Sequence, residues 1–319
     1  MTVDESPHRA RPEEIRAVPV RHPLRWVAAA VMLVLVAMAV NTLVTNERFN
    51  WPEQFEYIFA PQIMNALYNT VWLTIVAMVG GVVGGVLLAL MRLSDNPILR
   101  AISWFYLWVF RATPLYTQLL IWGSLGALFP EIGLGIPFGP VFVSWETNTL
   151  LSAAAAAALG LVLNEAAYMA EIVRAGILSV DEGQREAAGA LGMSRAKTMR
   201  RIVLPQAMRV IIPPTGNETI ATLKNTSLVA AVPFAELTFQ AQNIYGRTYQ
   251  VIPMLIMVCL WYLLLSSILM VGQHFLERHF GRSERGAARP ARPAALLSSG
   301  REQTGGGGGG GGSGDGGGG

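Results

Sequence analysis

Two basic residues interrupt long apolar runs of this chain, Arg111 and Lys224. At about 1.5 Å of rise per residue, Arg111 stands about nine residues into its run and Lys224 about sixteen into another. An unpaired charge near the middle of a bilayer costs on the order of 2.5–3.5 kcal/mol, so neither side chain is expected to face lipid. Either they line a path and meet the carboxylate of a passing solute, or they are paired internally, Lys224 with Glu218 or Glu236 for instance. On the first reading Thr113, Gln118, Asn217, Asn225 and Thr226 complete a hydrogen-bonding lining. Pro114, Pro213 and Pro214 fall in the same runs and are expected to bend packed helices.

Other chemistries lack their residues. A phosphate-binding P-loop needs Gly directly before its Lys. The two lysines, Lys197 and Lys224, follow Ala196 and Leu223, so this chain carries no such loop and no nucleotide-binding motif. The single cysteine, Cys259, and four histidines near the chain ends (His8, His22, His274, His279) make no metal or nucleophile constellation. Neither an enzyme's catalytic cluster nor a bound cofactor is expected. A net charge of +3 is too mild for a nucleic-acid partner.

The elements that must hold these residues are membrane helices. Hydrophobic residues make up 52% of the chain and charged residues 14%, well under the roughly 25% usual in soluble domains. Five stretches are long enough to cross about 30 Å of hydrocarbon: 26–44, 67–91, 102–129, 208–232 and 251–272. A sixth, 149–170, is alanine-rich and contains Asn164 and Glu165, which must face protein. The intervening segments alternate in Lys and Arg content. Basic residues crowd 1–25, recur at Arg92 and Arg100, fill the segment from Arg174 to Arg209, and return in the C-terminal tail. Between them lie a loop with Arg48, one with none, and one with Arg247 alone. This alternation predicts an all-α membrane protein with about six spans and both termini in the cytoplasm.

The N-terminal arm, 1–25, precedes a first span expected to remain uncleaved, because Asp4, Glu5, Glu13 and Glu14 do not suit a signal peptide. At the other end, 282–319 is expected to be a disordered tail, glycine-rich from 305. Gly80, Gly81, Gly84 and Gly85 give neighbouring small-residue pairs, which are expected to let helices of one subunit approach closely.

The basic segment near 177–207 has its own grammar. It reads Glu186-Ala187-Ala188, then Gly192, then Ile202, Leu204 and Pro205. That pattern predicts a short helix, a glycine break, a second basic helix and a proline stop. Its small-residue face fits either docking into a cleft or lying on the membrane surface.

The spacing from Glu186 to Pro205 matches every fixed position of the EAA loop, and resembles that of ABC importer permeases. Tyr168-Met169-Ala170-Glu171, Gly183-Gln184, Lys224-Asn225-Thr226-Ser227-Leu228 and Arg111-Ala112-Thr113-Pro114-Leu115 are similar to the polar amino-acid permeases among them. The likeness covers about 67–276 and implies the type I importer permease fold in a bacterial cytoplasmic membrane. It also implies partners: two ATPase subunits that hydrolyse ATP, a second permease copy or paralogue, an extracytoplasmic binding protein and an amino-acid substrate. Glu186, Ala187, Ala188 and Gly192 would then form the ATPase contact and its bend, with Ile202, Leu204 and Pro205 anchoring the return to the membrane. An ion-driven transporter, the main rival, would call for internal repeats and more mid-span acids than Glu165 and Glu218.

Overall fold

A computed structural model describes residues 23–136 and 139–280. The expected arm before residue 23 and the tail after 280 lie outside the described residues. In order, the elements are α1 (Pro23–Thr45), α2 (Trp51–Ile58), α3 (Pro61–Arg92), α4 (Pro97–Ala112), α5 (Leu115–Gly123), α6 (Leu125–Leu128), strands β1 (Glu131–Gly135) and β2 (Val141–Glu146), α7 (Thr147–Leu150), α8 (Ala153–Leu178), α9 (Glu182–Ala190), α10 (Arg195–Thr198), α11 (Leu204–Asn225), α12 (Leu237–Thr248) and α13 (Val251–Phe280). Leu24–Thr45, Pro61–Arg92, Ala153–Leu178 and Val251–Phe280 are long and apolar enough to cross a membrane. Among the described residues the fold is all-α apart from the small antiparallel hairpin β1–β2.

Of the other two expected spans, one is broken and the other runs on from α-helix into 3₁₀-helix. Residues 102–129 do not form one helix: α4 ends at Ala112, and Thr113 and Pro114 are extended before α5 begins. Pro114 drives its predecessor out of the helical region, so this proline breaks a helix where a bend was expected. In α11 Pro213 and Pro214 stand inside a continuous helix, with no break. That helix then tightens into a 3₁₀ segment, Thr226–Ala231.

The chain divides into two compact units. The first comprises Met1–Glu171 and Thr219–Ile268. Its α3 seam is built from the glycine row: a Cβ placed on Gly80, Gly81, Gly84 or Gly85 would collide with Val162, Glu165, Ala166 or Met169 of α8, in that order. The row therefore serves packing within one chain. Leu73, Ala77, Leu119, Ala156, Ala157, Leu161, Val229 and Val232 form one core cluster of this unit. Ile63, Ala66, Leu237, Ala241, Ile244, Met254, Met257 and Val258 form another. α1 is exposed on every side, and an all-round apolar helix of this kind needs lipid as its solvent.

The second unit comprises Ile172–Glu218 and Leu269–Gly319, of which the described part ends at Phe280. Here Gly176 gives room to Ile211, and the Gln273 amide donates to the Pro213 carbonyl at 2.8 Å. The proline stop expected at Pro205 does not occur. Met199–Val203 form a π-helical turn, with the Leu204 N–H reaching back to the Met199 carbonyl, and the chain stays helical through Pro205. A wider turn takes up the hydrogen-bond register that the missing proline N–H would otherwise disrupt.

One connection in the first unit is pinned with unusual thoroughness. Glu236 is fully buried and caps α12, accepting from the N–H groups of Thr238 at 2.8 Å and Phe239 at 2.6 Å. The Tyr262 hydroxyl donates to the same carboxylate at 3.2 Å and lies 3.0 Å from the Thr226 hydroxyl. Burial pushes the Glu236 carboxyl up to about 7 against those hydrogen bonds. A carboxyl raised in the folded state contributes stability below its unfolded value near 4.5, and that contribution is lost as pH rises through 7. The two-and-a-half-unit difference corresponds to roughly 3 kcal/mol. Thermal unfolding followed between pH 4.5 and 7.5 is therefore expected to show a falling Tm in the wild type. Glu236→Gln, neutral throughout, should flatten it; an unchanged slope would sink the assignment.

Candidate functional site

Two groups of residues stand out, one in each unit. In the second unit, the helix α9 is cut from the sequence by local rules. Asp181 caps its start, accepting from the Gly183 N–H at 2.7 Å. Gly192 ends it at φ +70°, the left-handed region that costs glycine nothing and other residues about 1 kcal/mol or more. The Met193 N–H returns to Ala188 at 3.0 Å and the Gly192 N–H to Gly189 at 2.9 Å, the paired bonds of a Schellman cap. A glycine break was legible at this position, and the cap is its mechanism.

The cap decides what α9 shows to solvent. Ala188 is buried, whereas Glu186, Ala187, Ala190 and Leu191 are exposed, Leu191 by 81%. Arg185 turns back to donate to the Ile177 carbonyl at 2.6 Å, fastening the helix to the end of α8. Of the expected return anchors, Ile202 is half-buried in the π-helical turn, and Leu204 and Pro205 are exposed at the start of α11. The result is a short helix with a small-residue outer face and a protruding leucine, a shape suited to a complementary protein groove.

In the first unit the break at Thr113 and Pro114 gathers polar groups. A helix ending inside a membrane leaves carbonyls that only protein can satisfy. Gln118, one turn into α5, supplies them: its Nε2 donates to the carbonyls of Phe110 at 3.0 Å and Thr113 at 3.1 Å. Asn164 of α8 adds a second amide, donating to Phe110 at 3.2 Å and to the Gln118 Oε1 at 3.1 Å. Gln118 is thus 7% exposed, its amide spent on the break. Beside this, Arg111 keeps one end in the open. Its guanidinium lies 4.0 Å from the Glu171 carboxylate and 5.6 Å from the centre of the Tyr168 ring. The bridge is at its outer limit and its partners are 46% and 25% exposed, so it contributes little stability. Arg111 stays half open to its surroundings.

The remaining expected residues are dispersed. Thr226 is fully buried, committed to the Leu223 carbonyl and Tyr262. Asn225 is half-buried, and Lys224 is exposed and makes no ion pair among the described residues. Asn217 is exposed in the second unit. The acid inside α8, Glu165, accepts the Thr222 hydroxyl at 2.8 Å and ties α8 to α11. Asn164, Tyr168 and Glu171 were not expected at the site. A spacing of three to four residues along one helix was the signal for Asn164, Tyr168 and Glu171.

Comparison with known proteins identifies the family. Residues 81–282 match the family described as binding-protein-dependent transport system inner membrane component. The chain is 48% identical over 293 residues to the arginine transport system permease protein ArgU of Corynebacterium glutamicum, covering 91% of this chain and 90% of that one. It is 31% identical to the glutamine transport system permease protein GlnP of Escherichia coli, over 72% of this chain and 97% of that one. Among solved structures, an amino acid ABC transporter crystallised with histidines is similar, with TM-score 0.59 and 34% identity over 69% of this chain and 95% of that one. With half of its length matched by the family and an exposed capped helix at the EAA position, this chain belongs to the binding-protein-dependent inner membrane components and is an ABC importer permease.

Proposed function

We propose that this chain is one of two permease subunits, identical or paralogous, of an importer that takes up an amino acid. A binding protein delivers the amino acid on the outer side, and two cytoplasmic ATPase subunits hydrolyse the ATP. Both termini lie in the cytoplasm, as the alternation of basic residues supports. The permease domain covers about 67–276, with the EAA loop near 177–207. The observation that carries the reading is α9, whose exposed Glu186 and Ala187 follow the EAA spacing and which ends at the Gly192 cap. Inserted in an ATPase cleft, Glu186 and Ala187 make the contact, Ala188 packs beneath them and Gly192 gives the bend, so that closure of the ATPase pair reaches the spans through Ile202, Leu204 and Pro205.

Along the path, Arg111 meets the substrate carboxylate and Glu171 its amino group, opposite charges a zwitterion satisfies together. Thr113, Lys224 and Asn225 contribute to the lining, while Gln118 and Thr226 hold its frame. The relatives named for arginine and glutamine support an amino acid as the substrate class.

The test is co-purification and ATPase stimulation. With the cognate ATPase in liposomes, the wild type is expected to bind it and to raise its activity in the presence of loaded binding protein. Ala187→Arg adds bulk to an exposed position and leaves the fold intact, so it should reduce stimulation at least tenfold. A wild type that neither binds nor stimulates an ATPase would overturn the proposal.

A further inference from the structure

In the first unit, a cleft of about 390 Å³ opens between α2, the start of α3 and one face of α12. Its polar lining is Tyr57, Gln62, Gln240, Asn243, Arg247 and Thr248, over a floor at Ile244. Residues 240, 243, 244, 247 and 248 recur at three- and four-residue spacing, so α12 turns a single face to it. Gln62 stands in the first turn of α3. No carboxylate lines the cleft, and Arg247 makes no ion pair among the described residues. It is also the one basic residue between 233 and 250, a segment on the outer side under the proposed topology.

A lone arginine in the last turn of a helix complements the helix dipole, which accounts for its charge. It does not account for four neutral hydrogen-bonding side chains, Tyr57, Gln62, Gln240 and Asn243, round a volume in the range of small-molecule sites, the Thr248 hydroxyl being spent on the Ile244 carbonyl. A guanidinium among amide and hydroxyl groups is the recognition set for a carboxylate, which takes two parallel N–H bonds from arginine and further bonds from the amides. We infer that this cleft is a carboxylate-receiving site on the outer side, separate in its residues from the cluster at Arg111. It rests on the importer reading for its orientation. The carboxylate belongs either to a free amino acid or to an acidic side chain of the binding protein.

The full chain in lipid nanodiscs separates these sources. In one arm, L-arginine and its decarboxylated counterpart agmatine are titrated without other proteins. In the second, the cognate binding protein is passed over the same nanodiscs at low and at high salt. Arg247→Gln and Asn243→Leu are compared with wild type in both. A free amino-acid site predicts L-arginine binding, little agmatine binding, and about tenfold weaker L-arginine binding in Arg247→Gln. A side-chain site predicts about tenfold weaker, less salt-dependent binding-protein affinity in that variant, with no L-arginine effect. Changes under twofold in both arms would overturn the inference, leaving Arg247 a solvated rim residue. Neither arm uses the ATPase, so loss of coupling, the failure of the importer reading, is scored independently.

Discussion

Gly85→Val is expected to leave almost no folded protein in the membrane. A Cβ at Gly85 would sit 2.5 Å from the Met169 Cβ and 2.9 Å from the Ala170 nitrogen and the Met169 carbonyl carbon. Two of those three atoms are backbone, so no change of rotamer relieves the clash. The helices α3 and α8 must separate, and the contacts at Gly80, Gly81 and Gly84 loosen together because all four glycines lie on the same seam. Overpacking at one site costs about 1–3 kcal/mol, and a seam held by dispersion alone in lipid loses more. Set against a net stability of roughly 5–15 kcal/mol, that is enough to deplete the folded population severely. The yield of monodisperse protein after detergent extraction is the measurement. Gly272→Val is the control: nothing lies within 4 Å of its Cβ, and wild-type yield is expected. Equal yields from both variants would contradict the seam.

Gln118→Leu is expected to be the most costly polar-to-apolar change in the first unit. Leucine fills a similar volume but leaves the Thr113 carbonyl without its side-chain donor, and the Asn164 amide loses its Oε1 acceptor. Interhelical hydrogen bonds in membranes are worth on average about 0.6 kcal/mol, because unfolded helices find other partners. The bonds at the break differ in kind. They satisfy carbonyls freed by Pro114, and a buried carbonyl left bare costs about 1–3 kcal/mol. A loss of about 3 kcal/mol is expected in thermal unfolding. Asn164→Leu should cost less alone, since Phe110 keeps Gln118. The double variant should depart from the sum of the singles, because Phe110 then loses both donors while neither amide is left unpaired. Strict additivity would show that the two amides act independently.

Much of this protein was legible residue by residue. Transfer from water to hydrocarbon sums along the chain, so apolar runs announced their helices, and α3, α8 and α13 appear where such runs stand. The EAA spacing was legible for a similar reason. A capped short helix depends on positions within about ten residues of one another, and Gly192 stands at positive φ where the break was expected. What failed were the expectations of a bend at Pro114 and a stop at Pro205. Pro114 breaks its helix, whereas Pro205, Pro213 and Pro214 remain inside continuous helical backbone. The ring removes one N–H in every case, and its consequence depends on neighbours distant in sequence. At Pro114 the freed carbonyls find Gln118 and Asn164, and at Pro205 a π-helical turn absorbs the register. The same distinction separates the polar residues of the spans. Their types marked them as unable to face lipid, but whether each is spent on structure or left for a ligand is a matter of which helix lies opposite. Only the folded chain assigns Gln118 to a broken helix, Thr226 to Tyr262 and Arg111 to a half-open pair with Glu171, because those contacts join residues that local rules never place together.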